Sequence, residues 1–558
     1  MNKTNRAIAR QLKLAADLIE LTGGNAFRAR AFGSAARRIE RLEESVPALV
    51  AEGTLTDVAG VGQSLAADIA EFLDTGQFPA VAELLATLPP GLLDVLRVKG
   101  LGPKKVRVLW QDLDITSLDD LEAAAVAGRI AALSGFGAKT QQNVLDQIEL
   151  LQSYAGKAHT AQIADEVEEL VEALRTTAGI ARAEAAGRFR RQFELVEDID
   201  LVAEGSPEAI RDTLAARGVQ FESAAHAPLR GTLPSGMRLA VHPAEAGTFG
   251  RVLWAATGSE AHVEQFVDRY GLPGDTDDEA TLYTSVGLPV VAPALREGTD
   301  ELEAAANGAL PRLVTVEDFR GSLHNHTTAS DGAHTLREMG DAARAMGLEY
   351  LGICDHSRSL QVANGLSIER LMGQVEAIAD LNADYAADGG PAFRILSGTE
   401  CDILSDGALD FPDEVLEQLD IVVASIHSAF QLGIVEQTAR LVGAAENPHI
   451  DILGHPTGRL LLRREGYAID HDAVIAACAA TGTALELNAN PWRLDLDWRW
   501  VRRATAAGVL IAINPDAHAT SELALVRWGV AVAQKGWLTP EQCLNTKSAD
   551  DLLAWARS

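Results

Sequence analysis

The stretch GSLHNHTTASD (residues 321–331) joins a short apolar run to two histidines and a loop aspartate. His324 and His326 are two residues apart, so a strand directs both side chains to the same face. Six further apolar runs follow, with helical segments between them: YLGICDH (350–356), RILSGTECDI (394–403), DIVVASIH (420–427), DILGHP (451–456), ALELNAN (484–490) and VLIAINPDAH (509–518). Seven strands that alternate with helices predict a distorted (βα)7 barrel. In such barrels the chemistry lies at the carboxyl ends of the strands.

Nine side chains that can bind metals lie at the ends of these runs or in the loops that follow. They are His324, His326, Asp331, His356, Glu400, His427, His455, Asp516 and His518; ALELNAN is assigned no ligand. A single histidine at a strand end is more often a structural hydrogen-bonding group, but chance clustering of nine such groups is improbable. Imidazole and carboxylate ligands suit zinc, manganese or iron rather than a sulfur-based site. Nine ligands exceed the need of one tetrahedral ion, so we predict two or three metals bridged by Glu400.

Length and composition limit the class of protein. A chain of 558 residues, 47% of them apolar, is too long for one core, so we expect three or more folded units. No apolar run approaches the roughly 20 residues that a membrane span needs, and the N-terminus lacks the apolar core of a signal peptide. The four cysteines form no zinc or disulfide pattern. We therefore expect a cytoplasmic protein with no membrane partner.

Three Gly-x-Gly loops occur in the first 150 residues, each before a helical stretch: Gly60-Val61-Gly62, Gly100-Leu101-Gly102 and Gly135-Phe136-Gly137. Glycine allows a tight turn with positive φ, and the helix N-terminus then offers free N–H groups to a phosphate. The loops resemble helix-hairpin-helix motifs, which grip a DNA backbone without reading sequence; plain helix connections are the alternative. The net charge of −31 is unexpected for a DNA-binding protein, but the first fifty residues hold nine Lys and Arg against five Asp and Glu.

The segments around the nine ligands resemble the PHP (polymerase and histidinol phosphatase) domain. These segments are HNHTTASDG, CDHS, GTECDIL, SIHS, GHPTGR and PDAH, and the resemblance covers residues 320–558. It implies one metal on His324, His326, Glu400 and Asp516, a second on Asp331, His356 and His518, and a third on Glu400, His427 and His455. Glu400 and Asp516 are then catalytic, and Arg459 in GHPTGR contacts the substrate phosphate, with an ion-paired surface arginine as the alternative. Such a centre hydrolyses phosphate esters without a Ser or Cys nucleophile.

The whole chain resembles a bacterial family X DNA polymerase with a fused PHP domain. The order of helical domain, hairpin loops and GRFRRQFELVEDIDLV carries this resemblance, and Asp198 and Asp200 occupy the positions that hold Mg²⁺ in the family's palm domain. Several residues of the family are replaced in this chain. Ala240 stands at the position of the third carboxylate, and Arg188 at that of the serine in the phosphate turn. Glu197 replaces a glycine, and Ala255-Ala256 replaces the aromatic pair of the nucleotide pocket. We therefore expect polymerisation to be lost or very weak, with at most weak Mg²⁺ binding. Asp68 aligns with the lyase lysine of eukaryotic members, so Schiff-base chemistry is not expected.

The predicted architecture is multidomain. It comprises a helical helix-hairpin-helix domain (1–90), a fingers-like helical domain (91–150), a degenerate α+β nucleotidyltransferase-like palm (151–260), a thumb-like region and linker (261–317) and the PHP barrel (318–558). Both helical domains carry hairpin loops.

We expect a DNA-binding, metal-dependent phosphoesterase, acting as a 3'-5' exonuclease or 3'-end processing enzyme in base excision repair. Its predicted substrates are gapped, nicked or 3'-blocked DNA. Three alternatives are a bifunctional polymerase and nuclease, a small-molecule phosphatase of the histidinol phosphate type, and a DNA-end-binding scaffold without activity. The hairpin loops favour DNA over a small metabolite, and the complete ligand set disfavours a scaffold.

Overall fold

A computed structural model describes residues 3–40, 42, 44–223 and 228–556. The chain divides into two compact units, residues 1–155 and residues 156–558. The domain limits expected near residues 90, 260 and 317 lie inside these units, so they remain predictions. Among the described helices, none is long and apolar enough to cross a membrane.

The first unit is helical, as the hydrophobic spacing predicts. Its α-helices are α1 (Lys3–Leu21), α2 (Ala26–Glu40), α3 (Val46–Glu52), α4 (Gln63–Thr75), α5 (Pro79–Leu85), α6 (Leu92–Leu96), α7 (Pro103–Leu113), α8 (Leu118–Val126) and α9 (Ala138–Tyr154). One buried cluster runs from Ile8 in α1 to Ile148 in α9 and supplies the core for all of them. Apolar positions at helical spacing, such as Ile8, Leu12 and Ala15, are fully buried on the inner face of α1.

The second unit begins with a mixed sheet. Its elements are β1 (Ala158–His159), α10 (Thr160–Thr176), β2 (Ile180–Ala185), α11 (Gly187–Arg190), β3 (Leu195–Val196), β4 (Asp198–Gly205), α12 (Pro207–Ala215), β5 (Gln220–Phe221), β6 (Leu229–Thr232) and β7 (Arg238–Ala244). Five strands pair in the order β2-β4-β7-β6-β5, in which only β4 and β7 are parallel. This mixed sheet agrees with the expected α+β palm-like region, and we call residues 156–260 the palm-like region.

A helical segment follows the mixed sheet. Its α-helices are α13 (Phe249–Thr257), α14 (Glu260–Tyr270), α15 (Glu279–Ser285) and α16 (Glu301–Ala306). Trp254, Phe266 and Tyr283 form its small aromatic core. Short 3₁₀ turns occur here and elsewhere in the chain, at Leu55–Asp57, Pro293–Leu295, Val316–Asp318, Gln361–Ala363, Thr520–Leu525, Pro540–Gln542 and Leu544–Thr546.

The remaining residues form the predicted seven-stranded parallel barrel. Its elements are β8 (Gly321–Ser322), α17 (Leu336–Ala345), β9 (Tyr350–Ile353), α18 (Ile368–Ala387), β10 (Arg394–Asp402), α19 (Asp413–Leu416), β11 (Ile421–Ser425), α20 (Ile434–Ala445), β12 (Ile452–Leu453), α21 (His471–Thr481), β13 (Ala484–Asn488), α22 (Trp498–Ala506), β14 (Ile511–Asn514), α23 (Val526–Lys535) and α24 (Ala549–Ala556).

The barrel strands pair in simple sequence order, from β8 to β14. Every pairing between neighbouring barrel strands is parallel. Helices cover the outside of such a sheet, so strands such as β9, β11 and β13 are buried along their whole length. Each of the seven apolar runs identified in the sequence supplies one strand. The expected (βα)7 fold is therefore confirmed.

Candidate metal centre

The barrel brings the nine predicted ligands to one end. His324 and His326 follow β8, His356 follows β9, and Glu400 lies near the end of β10. The other ligands follow later strands, except Asp331, which lies in the loop before α17: His427 after β11, His455 after β12, and Asp516 with His518 after β14. His324, His326, Glu400, His455 and Asp516 are buried, whereas Asp331 is exposed. The centre is thus open on the side of Asp331.

Glu400 occupies the middle of the centre. Its Oε2 lies 2.7 Å from His356 Nδ1, 3.4 Å from His324 Nε2 and 3.7 Å from His326 Nε2. Its Oε1 lies 3.0 Å from His455 Nε2 and 3.3 Å from His427 Nε2. The two oxygens therefore face different sets of imidazoles, which is the geometry that a bridging carboxylate requires.

Two aspartates complete the centre. Asp516 Oδ1 lies 3.0 Å from His326 Nε2 and 3.8 Å from His324 Nε2. Asp331 Oδ1 lies 3.3 Å from His518 Nε2 and 3.6 Å from His356 Nε2. Three groups have donor atoms within 4.8 Å of one another: His326 with Asp331, His356 and His518; His324 with His326 and Glu400; and His356 with Glu400 and His427. These groups overlap the three implied ligand sets without matching them fully, so the assignment of ligands to individual ions remains a prediction.

The electrostatics of the centre fit divalent cations. Burial raises the pKa of Glu400, but His427, His324 and His356 outweigh burial and hold that pKa well below its ordinary value. Conversely, burial lowers the pKa of His427, but Glu400 and Asp402 raise it to about 10. The ionised carboxylates thus demand positive charge. A divalent metal ion bound by these imidazoles and carboxylates would supply that charge, since it displaces the protons of its ligands when it binds.

Unsatisfied nitrogen atoms point to the same fit. Within the described residues, His324 Nε2 and His356 Nδ1 are buried and make no hydrogen bond, although both face Glu400 Oε2. A buried polar atom without a partner is costly. An ion held between imidazole and carboxylate would satisfy both atoms, so the residues present suit a divalent-metal centre.

Residues that the sequence reasoning missed orient these ligands. Glu486 in β13 accepts a hydrogen bond from His324 Nδ1 at 2.8 Å, and its other oxygen accepts one from the His455 backbone N–H at 2.7 Å. Asp402 accepts from His427 Nδ1 at 2.5 Å. Such outer contacts fix the tautomer and orientation of ligating imidazoles. The signal was present in ALELNAN, where Glu486 and Asn488 are polar residues two apart in an otherwise apolar strand.

The structure argues against a phosphate contact by Arg459. Its guanidinium is buried and pairs with Glu194 at 3.1 Å and Asp497 at 2.9 Å. It also donates to the backbone carbonyls of Arg493, at 3.0 Å, and Leu494. Because all three guanidinium nitrogens have protein partners, the contacts favour the ion-paired alternative, although this arginine is buried rather than on the surface; the phosphate contact itself stays a prediction.

A different arginine lies beside the metal ligands. Arg493 Nε is 3.7 Å from Asp516 Oδ2, and its side chain is 19% exposed. Among the described residues its guanidinium donates no hydrogen bond. Arg493 is therefore the cation with donors free for a ligand at this centre. It follows ALELNAN by three residues, but nothing in its local sequence distinguishes it from Arg463 or Arg464.

The palm-like carboxylates have a different environment. The parallel pairing of β4 and β7 places Asp200 opposite Ala240 and Asp198 opposite Arg238. Asp200 Oδ1 lies 3.0 Å from His242 Nε2, and Asp198 Oδ2 lies 3.9 Å from Arg238. In the described part of the chain, neither aspartate belongs to a group of three clustered ligands.

The phosphate turn of the palm-like region is also altered. Arg188 and Lys157 both face Glu197, at 3.7 and 3.8 Å. Gly187 has φ of 59°, and a Cβ there would collide with Asp200 Oδ2. Ala255 and Ala256 lie in α13. Asp198 and Asp200 thus lie beside Arg238 and His242, and Ala240 stands where the family has its third carboxylate.

The three hairpin loops have the expected backbone. Gly60, Gly100 and Gly135 have φ of 89°, 95° and 83°, which favours glycine. The second glycine of each loop is the N-cap of the next helix: Gly62 for α4, Gly102 for α7 and Gly137 for α9. All six glycines are exposed, whereas Val61 and Leu101 are buried and anchor their loops. Each loop therefore presents helix N-terminal N–H groups to solvent.

Three domain families match the chain. A helix-hairpin-helix domain matches residues 3–78, a SAM-like helix-hairpin-helix tandem matches residues 92–149, and the PHP domain matches residues 322–490. The hairpin loops thus lie in domains of a known DNA-binding type, and most of the metal ligands lie in the PHP match.

Individual relatives match either nearly the whole chain or less than half of it. The DNA polymerase/3'-5' exonuclease PolX of Bacillus subtilis (strain 168) is 34% identical over an alignment of 583 positions, gaps included, which covers 99% of this chain and 99% of the relative. A probable phosphatase of Thermoanaerobacter sp. (strain X514) is 27% identical over 40% of this chain and 89% of its own length. A probable phosphatase of Clostridium acetobutylicum is 34% identical over 30% of this chain and 63% of its own length.

Proposed function

The chain belongs to the family X DNA polymerases that carry helix-hairpin-helix domains and a C-terminal PHP domain, and from this premise we propose that it is a 3'-5' exonuclease with a weak or silent polymerase site. The observation that carries the proposal is the contrast between its two acidic sites. Glu400 faces five imidazoles in a complete nine-ligand centre, whereas Asp200 faces Ala240 and His242.

In this proposal, different barrel residues bind the metals and the substrate phosphate. Glu400, Asp516 and the histidines hold zinc, manganese or iron, which when bound supply Lewis-acid activation of water and of the scissile phosphate. Arg493 binds a non-bridging phosphate oxygen, because its guanidinium is partly exposed beside Asp516 and has free donors. The DNA end enters past Asp331 and His518, the partly exposed ligands.

DNA is the substrate that the N-terminal unit favours. The exposed glycine loops offer backbone N–H groups to phosphates on either side of a lesion. We propose gapped, nicked and 3'-blocked DNA in base excision repair, in the cytoplasm, as the context. A small-molecule phosphatase is the weaker candidate, because the probable phosphatases match only 40% and 30% of this chain, whereas the polymerase/exonuclease relative matches 99% of it.

A second candidate function is template-directed DNA synthesis. It is favoured by the name of the Bacillus subtilis relative, which includes polymerase activity. Against it stand Ala240 in place of a carboxylate and the pairing of Asp198 and Asp200 with Arg238 and His242. We therefore propose that synthesis is undetectable or feeble.

The experiment is incubation of the purified chain with labelled gapped, nicked and 3'-phosphate DNA and Mn²⁺, with and without dNTPs. We expect shortening or unblocking from the 3' end, no extension, and complete loss of hydrolysis after dialysis against EDTA. Metal analysis should find zinc, manganese or iron, since Mg²⁺ prefers all-oxygen sites. Full activity in EDTA, or robust extension with dNTPs, would contradict the proposal.

A further inference from the structure

The loop that carries Arg493 is contacted by Arg459 of the barrel and, through Arg459, by the palm-like region. This loop, residues 490–496, follows β13 and contains Leu494 at φ of 44°, a conformation that a leucine keeps only when its surroundings hold it. Arg459 supplies part of that support by donating to the carbonyls of Arg493 and Leu494. The direction of the Arg493 side chain thus depends on Arg459.

Arg459 is in turn held by the palm-like region. Glu194 lies just before β3, is 8% exposed, and pairs with Arg459 Nη2 at 3.1 Å. The segment that carries Glu194 is fixed to the start of α10, since Thr160 N–H donates to the Glu194 carbonyl at 3.0 Å. Without the charge of Glu194, Asp497 is the remaining carboxylate partner of Arg459, and the guanidinium is held less firmly against the loop carbonyls.

A second palm-like residue contacts the same loop. His159, at the end of β1, is 2% exposed and shares a hydrogen bond with the Pro491 carbonyl at 3.0 Å. Because a carbonyl can only accept, His159 Nδ1 carries the proton. The ring also meets Trp492 edge-on, with ring centroids 4.5 Å apart. Two palm-like side chains therefore support the loop. His159 contacts it directly at Pro491 and Trp492. Glu194 acts through Arg459, which donates to the carbonyls of the next two residues.

We infer that Glu194 and His159 are positioning residues for hydrolysis in the barrel, acting through the 490–496 loop to hold Arg493 at the metal centre. This inference rests on the proposed hydrolase function and adds a role for the palm-like region that needs neither nucleotide nor Mg²⁺. A displacement of about 1 Å in a group that orients the substrate is enough to cost roughly 10²-fold in rate. The palm-like region would then be required for hydrolysis even if its own catalytic site is silent.

The test measures kcat and KM of the full-length chain with Mn²⁺ on a labelled single-stranded oligonucleotide. Glu194→Gln removes the charge with little change of volume, and we expect kcat to fall about tenfold with metal content unchanged, as for other groups that orient an active site. His159→Phe keeps the ring contact with Trp492 and loses the hydrogen bond, so a smaller fall of about threefold is expected. Glu204→Gln is the matched control, since Glu204 is a palm-like carboxylate, 14% exposed, that pairs with Arg182.

A double variant decides whether the effect passes through Arg493. If it does, Glu194→Gln added to Arg493→Ala lowers kcat by less than about twofold further, because the group that it positions is already absent. A full tenfold fall in that background, a loss of bound metal in Glu194→Gln, or an equal fall in Glu204→Gln would overturn the inference. Failure of the proposed function is distinguishable, because the parent chain and His324→Ala would then hydrolyse the oligonucleotide equally or not at all.

Discussion

The barrel and the palm-like region both present carboxylates from parallel strands, yet they surround these carboxylates differently. Glu400 in β10 faces imidazole nitrogens, two of which are buried without a hydrogen-bond partner. Asp200 in β4 faces His242 and the methyl group of Ala240. The carboxylates of the barrel face several imidazoles that can themselves bind a metal, whereas those of the palm-like region face one arginine and one histidine. The neighbours of an acidic residue, rather than the residue itself, decide whether it forms a catalytic site.

The strongest test of this comparison removes one residue from each site. His324→Ala should lower hydrolysis on the order of 10³-fold, because it opens a metal position next to Glu400 and Asp516. Asp198→Ala should leave hydrolysis within about twofold, because Asp198 contacts only groups of the palm-like region and a surface substitution has little effect elsewhere. Exonuclease assays on both variants, with metal content measured in parallel, test the contrast. Equal losses would show that the two sites act together.

A second variant sharpens the comparison within the barrel. Asp402→Asn weakens the acceptor that orients His427, and we expect metal affinity or activity to fall about 10- to 100-fold. Asp420→Asn is the matched control: Asp420 immediately precedes β11 and accepts from Ser397, so it should affect stability alone. A metal titration monitored by calorimetry measures the metal affinity of both variants and separates their effects. Unchanged metal affinity in Asp402→Asn would mean that His427 does not hold an ion.

The helix-hairpin-helix domains of the first unit predict a contribution to DNA binding. Gly100→Val forces a β-branched residue into φ of 95° and should weaken DNA binding about tenfold, since such strain costs about 1–2 kcal/mol. Hydrolysis of bis(p-nitrophenyl) phosphate should not change. Gly76→Val is the control, because Gly76 ends α4 with φ of 74° in open space and lies outside the hairpin loops. Unchanged DNA affinity in Gly100→Val would favour a small-molecule substrate.

The smallest effect is expected from restoring the missing carboxylate. Ala240→Asp places an acidic side chain beside Asp200, but Arg238 and His242 still pair with the aspartates, and Ala255 and Ala256 remain in α13. Primer extension should rise by less than about threefold, because residues that act as a unit do not contribute separately. Robust synthesis by the parent chain would instead assign the third carboxylate to another residue, such as Glu197, and make the protein bifunctional.

The sequence alone determined the barrel and brought together a candidate set of metal ligands. Each strand run is a local pattern of apolar residues, and each ligand follows its run directly, so the rule that parallel strands end at one edge brought them together without further information. The hairpin loops were equally accessible, because the positive φ at Gly100 and the N-cap at Gly102 are local requirements. The replacement of the family's third carboxylate by Ala240 could also be read from the local sequence.

Only the tertiary structure decided which residues support those ligands. Arg459 and Glu194 are 265 positions apart in sequence, and no local pattern tells a phosphate-binding arginine from one that ties two regions together. The acceptor role of Glu486 towards His324 and the approach of Arg493 to Asp516 likewise join segments that are distant in the sequence of the barrel. A side chain's type and its secondary structure are set by nearby sequence, but its partners are set by how distant segments pack. The clustering of the candidate ligands was therefore predictable from the sequence, whereas the residues that position them were not.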